Sequence, residues 1–353
     1  MAFDASLAAT AIGSFPHRSA AEACDLVLAN FPEIPIWPQL PGISLLEQME
    51  IQYSEGLPCL VIDREKERMY FDTSTDPTAA LESFYGNYLS GAVSTFAITP
   101  DYSRGIHEMA QRLAQADRSG MKYFKMHVTG PVSFGLTIVD ENKRAIYYNE
   151  LFRDAIVKGL AMKARWQMQL FKPLVEKRIC FIDEPILSAF GSSTYLSLKR
   201  EDVVGHIREL AEAIQGEGGL AGIHCCGNTE WTIPMDAGVD IINFDAYAFG
   251  ESIGLYPVQV KTFLEKGGVI AWGIVPTSEH IDSETTDSLA ARFSALLDSL
   301  SRKGIDRDLL WRQALVTPSC GTGSVPLQRS VRVCQQTKQL SERLRTAFME
   351  NMG

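Results

Sequence analysis

The sequence predicts an α/β fold, a closed (β/α)8 TIM barrel, on three observations. Eight short apolar, β-rich runs recur along the chain. Stretches with apolar residues three or four apart lie between most of them. Residues capable of chemistry collect at the C-terminal ends of the runs. Alternation of strand and helix implies parallel pairing, and eight parallel strands suit a closed barrel better than an open sheet. In such a barrel the C-terminal rim is where the βα loops converge on one mouth.

The first strand is "LAATAIG" (7–13). Residues 14–92, which follow it, are too many for one crossover. They hold the proline-rich "PEIPIWPQLPG" and then "LVIDREKERMYFD", which reads as a short hairpin with "DREKE" as its charged turn. This interval is expected to be an excursion over one end of a single barrel spanning 1–353. "VSTFAIT" (93–99) is the second strand, followed by the helical "GIHEMAQRLAQADRSG". Next come "KYFKMHVTG" (122–130), the long helical stretch "NELFRDAIVKGLAMKARWQMQLFKPLVEKR", and "RICFIDE" (178–184). "REDVVGHIRELAEAIQGEGG" is a helix closing on glycine. Its "GEGG" precedes a strand and is therefore a turn, because a phosphate loop would follow one. "LAGIHC" (220–225), "VDIINFD" (239–245) and "GVIAWGI" (268–274) are strands; "TTDSLAARFSALLDSLSRKG" is a helix; "QALVTPS" (313–319) is the eighth strand.

Composition excludes several function classes. With 353 residues, 46% of them hydrophobic, the chain can bury a full core. Its net charge of −10, with thinly spread Lys and Arg, argues against nucleic acid as a partner. No apolar run approaches the roughly 18 residues needed to span a membrane, and the N-terminus lacks the basic region of a secretion signal. Seven cysteines, an odd number in a chain too long to need disulfides, point to a reducing cytoplasm.

Ser14, Thr129, Asp183, Glu184, His224, Cys226, Asp245 and Cys320 all fall at strand ends. In "AGIHCCGNTEW" (221–231) the question is which cysteine joins the histidine. Side chains alternate faces along a strand, so His224 and Cys226 share the inner face and Cys225 turns back to the helices as a small packed hydrophobe. Cys320 in "VTPSCGTG" follows the last strand and reaches the same rim. One imidazole and two thiolates suit zinc and leave a fourth position open, the pattern of a catalytic site. A thiol entering that position is held as thiolate. Zinc-bound hydroxide and hydrolysis is the competing chemistry; two thiolates blunt the metal's acidity towards water and favour the thiol.

"AIGSFPHR" (11–18), "VTGPVS" (128–133), "FIDEPIL" (181–187), "IHCCGN" (223–228) and "VTPSCG" (316–321) resemble, in order and spacing, motifs in the catalytic half of cobalamin-independent methionine synthases. "HCCGN" is also similar to the HxCGN of corrinoid:coenzyme M methyltransferases; both groups share the uroporphyrinogen decarboxylase-like barrel. The resemblance implies Zn2+ on His224, Cys226 and Cys320, homocysteine as the thiol, and Asp245 at the place of a further glutamate ligand. It implies Asp183 gripping the substrate ammonium, Ser14 holding the carboxylate, and Glu55 as the N-terminal glutamate that contacts the amino acid. Only one of Asp183 and Glu184 can face the mouth, the other pairing with a helix. His280, in "PTSEHID", lies where the family has a histidine tied to protonating a folate leaving group.

The methyl donor so implied is methylcobalamin on a partner corrinoid protein or methyltetrahydrofolate. The family's second, folate-binding barrel is not expected here, and no Asp-x-His-x-x-Gly corrinoid motif occurs. Three alternatives remain: a coenzyme M-type acceptor, a porphyrinogen-type decarboxylase without metal, and a non-catalytic zinc- or substrate-binding barrel. His127 reads as a satisfied buried histidine, and Trp231 and Tyr247 either wall the mouth or pack in the core.

Overall fold

The computed structural model describes residues 3–4, 6–195 and 197–352. Seven parallel strands form a curled sheet of TIM-barrel type: β1 (Ala8–Ala9), β4 (Phe124–Thr129), β6 (Arg178–Asp183), β7 (Leu220–Cys225), β8 (Ile241–Phe244), β9 (Val269–Val275) and β10 (Ala314–Pro318). Their order is β1-β10-β9-β8-β7-β6-β4. A separate sheet holds the antiparallel hairpin β2 (Leu60–Asp63) and β3 (Arg68–Phe71), with β5 (Val139–Asp140) parallel to β3. The hairpin is the one expected from its charged turn.

The space between β1 and β4 is closed by residues 33–39. On one side Lys125 N–H donates to the Pro35 carbonyl (2.9 Å) and Tyr123 N–H to Glu33 (3.1 Å). On the other, Gln39 N–H donates to Gly13 and Phe15 N–H to Gln39, each at 2.8 Å. The second stave is therefore "EIPIWPQ", inside the interval expected to be pure excursion; the excursion proper begins after residue 39. Pro35 and Pro38 supply no N–H, so the segment cannot complete a ladder and reads as loop.

"VSTFAIT" is not a strand. Val93–Phe96 form a 3-10 turn, Val93, Phe96 and Ile98 are buried in the outer core, and the Thr99 N–H donates to Glu55 at 2.9 Å. Its β-type residues are satisfied by burial rather than by pairing, a case of tertiary context overriding propensity.

The helices are α1 (Ala20–Asn30), α2 (Met49–Gln52), α3 (Thr78–Leu89), α4 (Arg104–Gln115), α5 (Pro131–Thr137), α6 (Glu150–Phe171), α7 (Arg200–Gly216), α8 (Thr232–Asp236), α9 (Ala246–Phe249), α10 (Pro257–Glu265), α11 (Thr286–Arg302), α12 (Arg307–Arg312) and α13 (Leu327–Met352). The four stretches of helical period become α4, α6, α7 and α11. Ser103 caps α4 by accepting from Ile106 N–H, and Thr285 and Ser288 form a capping box on α11. No helix among the described residues is long and apolar enough to cross a membrane.

Two cores result from strand alternation. Outward residues such as Met126, Cys180 and Ile223 pack against the helices. Inward residues Ala8, Ile34, Ile179, Phe181, Ile241 and Leu315 fill the barrel near the strand starts. Above this apolar layer, which also holds Lys125, the inward residues become polar towards the C-terminal mouth.

Candidate metal centre

Asp183 on β6, His224 on β7 and Asn243 on β8 are register partners across neighbouring staves. By alternation from Phe181 and Ile241 all three point inward at the mouth. Cys226 follows β7 directly, and Cys320 follows β10 by two residues. One ligand atom each from His224, Cys226 and Cys320 lies within 4.8 Å of the others. Cys225 instead is fully buried in the outer core, where burial pushes its thiol up to about 12.

The cluster shares its protons. The Cys226 thiol is lowered to about 4 by hydrogen bonds from Cys320 and then from His224. Cys320 is raised in turn, first by the same bond to Cys226. Burial pulls His224 down, but Cys226 and Asp183 outweigh it and leave the imidazole raised. A negative sulfur between a thiol and an imidazole is the charge pattern that a cation would replace.

Asp245 remains outside this group among the described residues. Its Oδ1 accepts the Ala248 N–H (2.8 Å) and caps α9, and burial raises its pKa. That bond commits one of its two carboxylate oxygens to the helix.

Asp183 and Glu184 diverge as alternation requires. Asp183 is half-buried, and its Oδ1 is shielded with no partner among the described residues. Burial pushes it up to about 6, against the pull of His224 and Lys125. Glu184 is the one that pairs with a helix, as a fully buried clamp on α5 and not as a group at the mouth. It accepts from Val132 N–H (2.9 Å), Ser133 N–H (2.8 Å) and the Ser133 hydroxyl (2.6 Å). Burial raises its pKa to about 7, opposed by those three bonds. Removing it in Glu184→Ala would strand three buried donors, so a stability loss of about 3–5 kcal/mol is expected, readable as a lowered melting temperature with zinc affinity measured in parallel.

Ser14 packs against the loop that carries Cys320. Its carbonyl accepts from Thr322 N–H (2.7 Å) and its Oγ from Gly323 N–H (3.2 Å). A Cβ on Gly321 would fall 2.2 Å from Ser14 Oγ, which is why "CGTG" needs glycine there. The Glu55 carboxylate binds Thr99 N–H (2.9 Å) and hydroxyl (3.0 Å), fastening the excursion to residue 99. His280 is exposed on a 3-10 turn, its ring 5.9 Å from that of Tyr247. Trp231 is fully buried. Tyr247 donates to Glu284 (2.8 Å).

Below the mouth, the inner face of β4 carries residues that sequence reasoning left aside or read otherwise. Lys125 is buried 4.1 Å over the Phe181 ring, its Nζ without a hydrogen-bond partner among the described residues, and burial lowers it to about 8. His127 stacks on Trp37 at 3.8 Å. Both its ring nitrogens lack partners among the described residues, so it is buried but not satisfied. The polar positions at period two in "KYFKMHVTG" and "DIINFD" were the signal for Lys125 and for Asn243.

No protein-family model matches this sequence, and no curated protein matches it. Solved structures do. A methyltransferase from Methanosarcina mazei superposes with a TM-score of 0.54 at 13% identity, over 98% of this chain and 94% of that one. A B12-independent methionine synthase from Shewanella sp. W3-18-1, in complex with selenomethionine, does so with a TM-score of 0.53 at 12% identity, over 98% and 100%. At these identities the likeness establishes a common barrel fold running the length of the chain.

Proposed function

We propose that the protein is a zinc-dependent methyltransferase that moves a methyl group to a thiol, with homocysteine as the acceptor. The observation that carries this reading is the convergence of His224, Cys226 and Cys320 within 4.8 Å at the barrel mouth. The donor set suits zinc: one imidazole and two sulfurs are ligands it prefers, and three protein ligands leave the fourth tetrahedral position to a substrate. Bound there, the metal would keep an incoming thiol deprotonated at neutral pH. The names of the two structural neighbours support methyl transfer as the reaction class.

The chain's own residues orient the acceptor. Asp183 offers an unpartnered carboxylate oxygen one stave from His224, a fit for an ammonium rather than for the sulfonate of coenzyme M. Ser14, beside the Cys320 loop, supplies a hydroxyl for the carboxylate. Asp183→Asn removes a charge-assisted hydrogen bond worth about 1.5–3 kcal/mol. It is expected to raise the KM for homocysteine about 10–100-fold while kcat stays within about threefold, as steady-state kinetics would show. The methyl donor is methylcobalamin presented by a partner corrinoid protein, with methyltetrahydrofolate as the other candidate.

The test is methionine formation by zinc-loaded protein from homocysteine, assayed with methylcobalamin and, separately, with methyltetrahydrofolate. Methionine with methylcobalamin is expected. Activity with methyltetrahydrofolate alone overturns the corrinoid assignment, and no product with either donor overturns homocysteine methylation.

A further inference from the structure

A buried amide ties together the two halves of the metal centre. Asn243 is fully buried on β8. Its Oδ1 faces His224 Nδ1 at 2.5 Å, and its Nδ2 donates to the Ala271 carbonyl and to Thr317 Oγ1, each at 2.8 Å. The orientation of the amide follows from chemistry. A backbone carbonyl can only accept, so the NH2 must lie towards Ala271 and the oxygen towards His224. An amide oxygen can only accept too, so His224 must carry its proton on Nδ1. Nδ1 is thereby committed to Asn243, and Nε2 is the nitrogen left to face Cys226, where a bound cation would take the place of the proton it shares with that sulfur.

The same side chain spans the staves. Asn243 bonds β7 through His224, β9 through Ala271, and β10 through Thr317, three residues before Cys320. We propose that Asn243 is the positioning residue of the centre: it selects the ligating tautomer of His224 and holds the His224 stave in register with the stave that carries Cys320. This rests on the zinc reading above and deepens it. A ligating histidine commonly gives its second N–H to a carboxylate or a carbonyl. Here the partner is a neutral amide, whose two donor hydrogens allow it to reach two further staves, which a carboxylate could not do.

The test uses full-length protein and two variants, Asn243→Leu and Asn243→Asp, with zinc affinity measured by competition against a chromophoric chelator. Asn243→Leu removes all three bonds and is expected to weaken zinc binding about 10–100-fold. Asn243→Asp keeps an acceptor for the same Nδ1 proton but has no donor for the Ala271 carbonyl, and is expected to fall between the parent and Asn243→Leu. Affinity of Asn243→Leu within threefold of the parent, or no recovery in Asn243→Asp, overturns the proposal. Should either variant fail to fold, long-range 15N NMR of zinc-loaded parent protein decides: a proton on His224 Nδ1 is expected, and one on Nε2 overturns it. Failure of the zinc reading would show in the parent protein, as absent binding, whereas failure of this inference shows only in the variants or in the tautomer.

Discussion

On the zinc methyltransferase reading proposed above, Cys226→Ser and Cys320→Ser are each expected to lower zinc affinity by at least about 100-fold, beyond the 10–100-fold typical of losing an outer partner, and to abolish thiol methylation. Cys225→Ala, one residue away, is expected to leave both unchanged. The contrast follows from strand alternation: Cys226 meets His224 and Cys320 at the mouth, while Cys225 is sealed in the outer core. Serine is near-isosteric with cysteine but binds as a neutral hydroxyl where zinc would take a thiolate. Metal analysis after dialysis against a chelator, alongside the methylation assay, would check all three variants. Full zinc retention in either serine variant means that the ligand set is wrong. A small loss of stability in Cys225→Ala is compatible with the removal of one buried sulfur atom.

Gly105→Ala is expected to destabilise the protein by about 3 kcal/mol, at the upper end for overpacking, although it replaces one helical residue with a better helix former. Gly105 is the second residue of α4, and a Cβ there would sit 1.8 Å from the Pro38 carbonyl oxygen. That carbonyl belongs to the second stave, which is bonded on both sides, so neither surface can yield cheaply. Gly86→Ala in α3 is the control: a Cβ meets nothing within 4 Å, and a gain of up to about 1 kcal/mol is expected. Thermal melts of the two variants should move in opposite directions. Equal shifts would show that α4 does not press on the second stave as described.

Seven staves were legible because each combined an apolar inward or outward pattern with a turn and a helix beside it. The second was hidden by its prolines, which supply no N–H and break the period; "VSTFAIT" displaced it by having strand composition without a strand's partners. At the mouth, the face of His224, Cys226 and Cys225 followed from a period of two. The same rule separated Asp183 from Glu184, though not which would clamp a helix. Glu55 and Asp245 were placed by resemblance. Their carboxylates accept from backbone N–H groups on Thr99 and Ala248, contacts that depend on how loops come to rest and that no local pattern announced.

By itself the sequence determined the barrel, its polarity, and the histidine and cysteines that its alternation turns to one mouth. These are local matters: strand period, helix period, and the order of the motifs along the chain. Only the tertiary structure decided that residues 33–39 complete the ring, that Glu184 clamps α5, and that Asn243 joins three staves. Those outcomes depend on which donors and acceptors meet across segments remote in sequence. No pattern along one strand encodes the partner on the next.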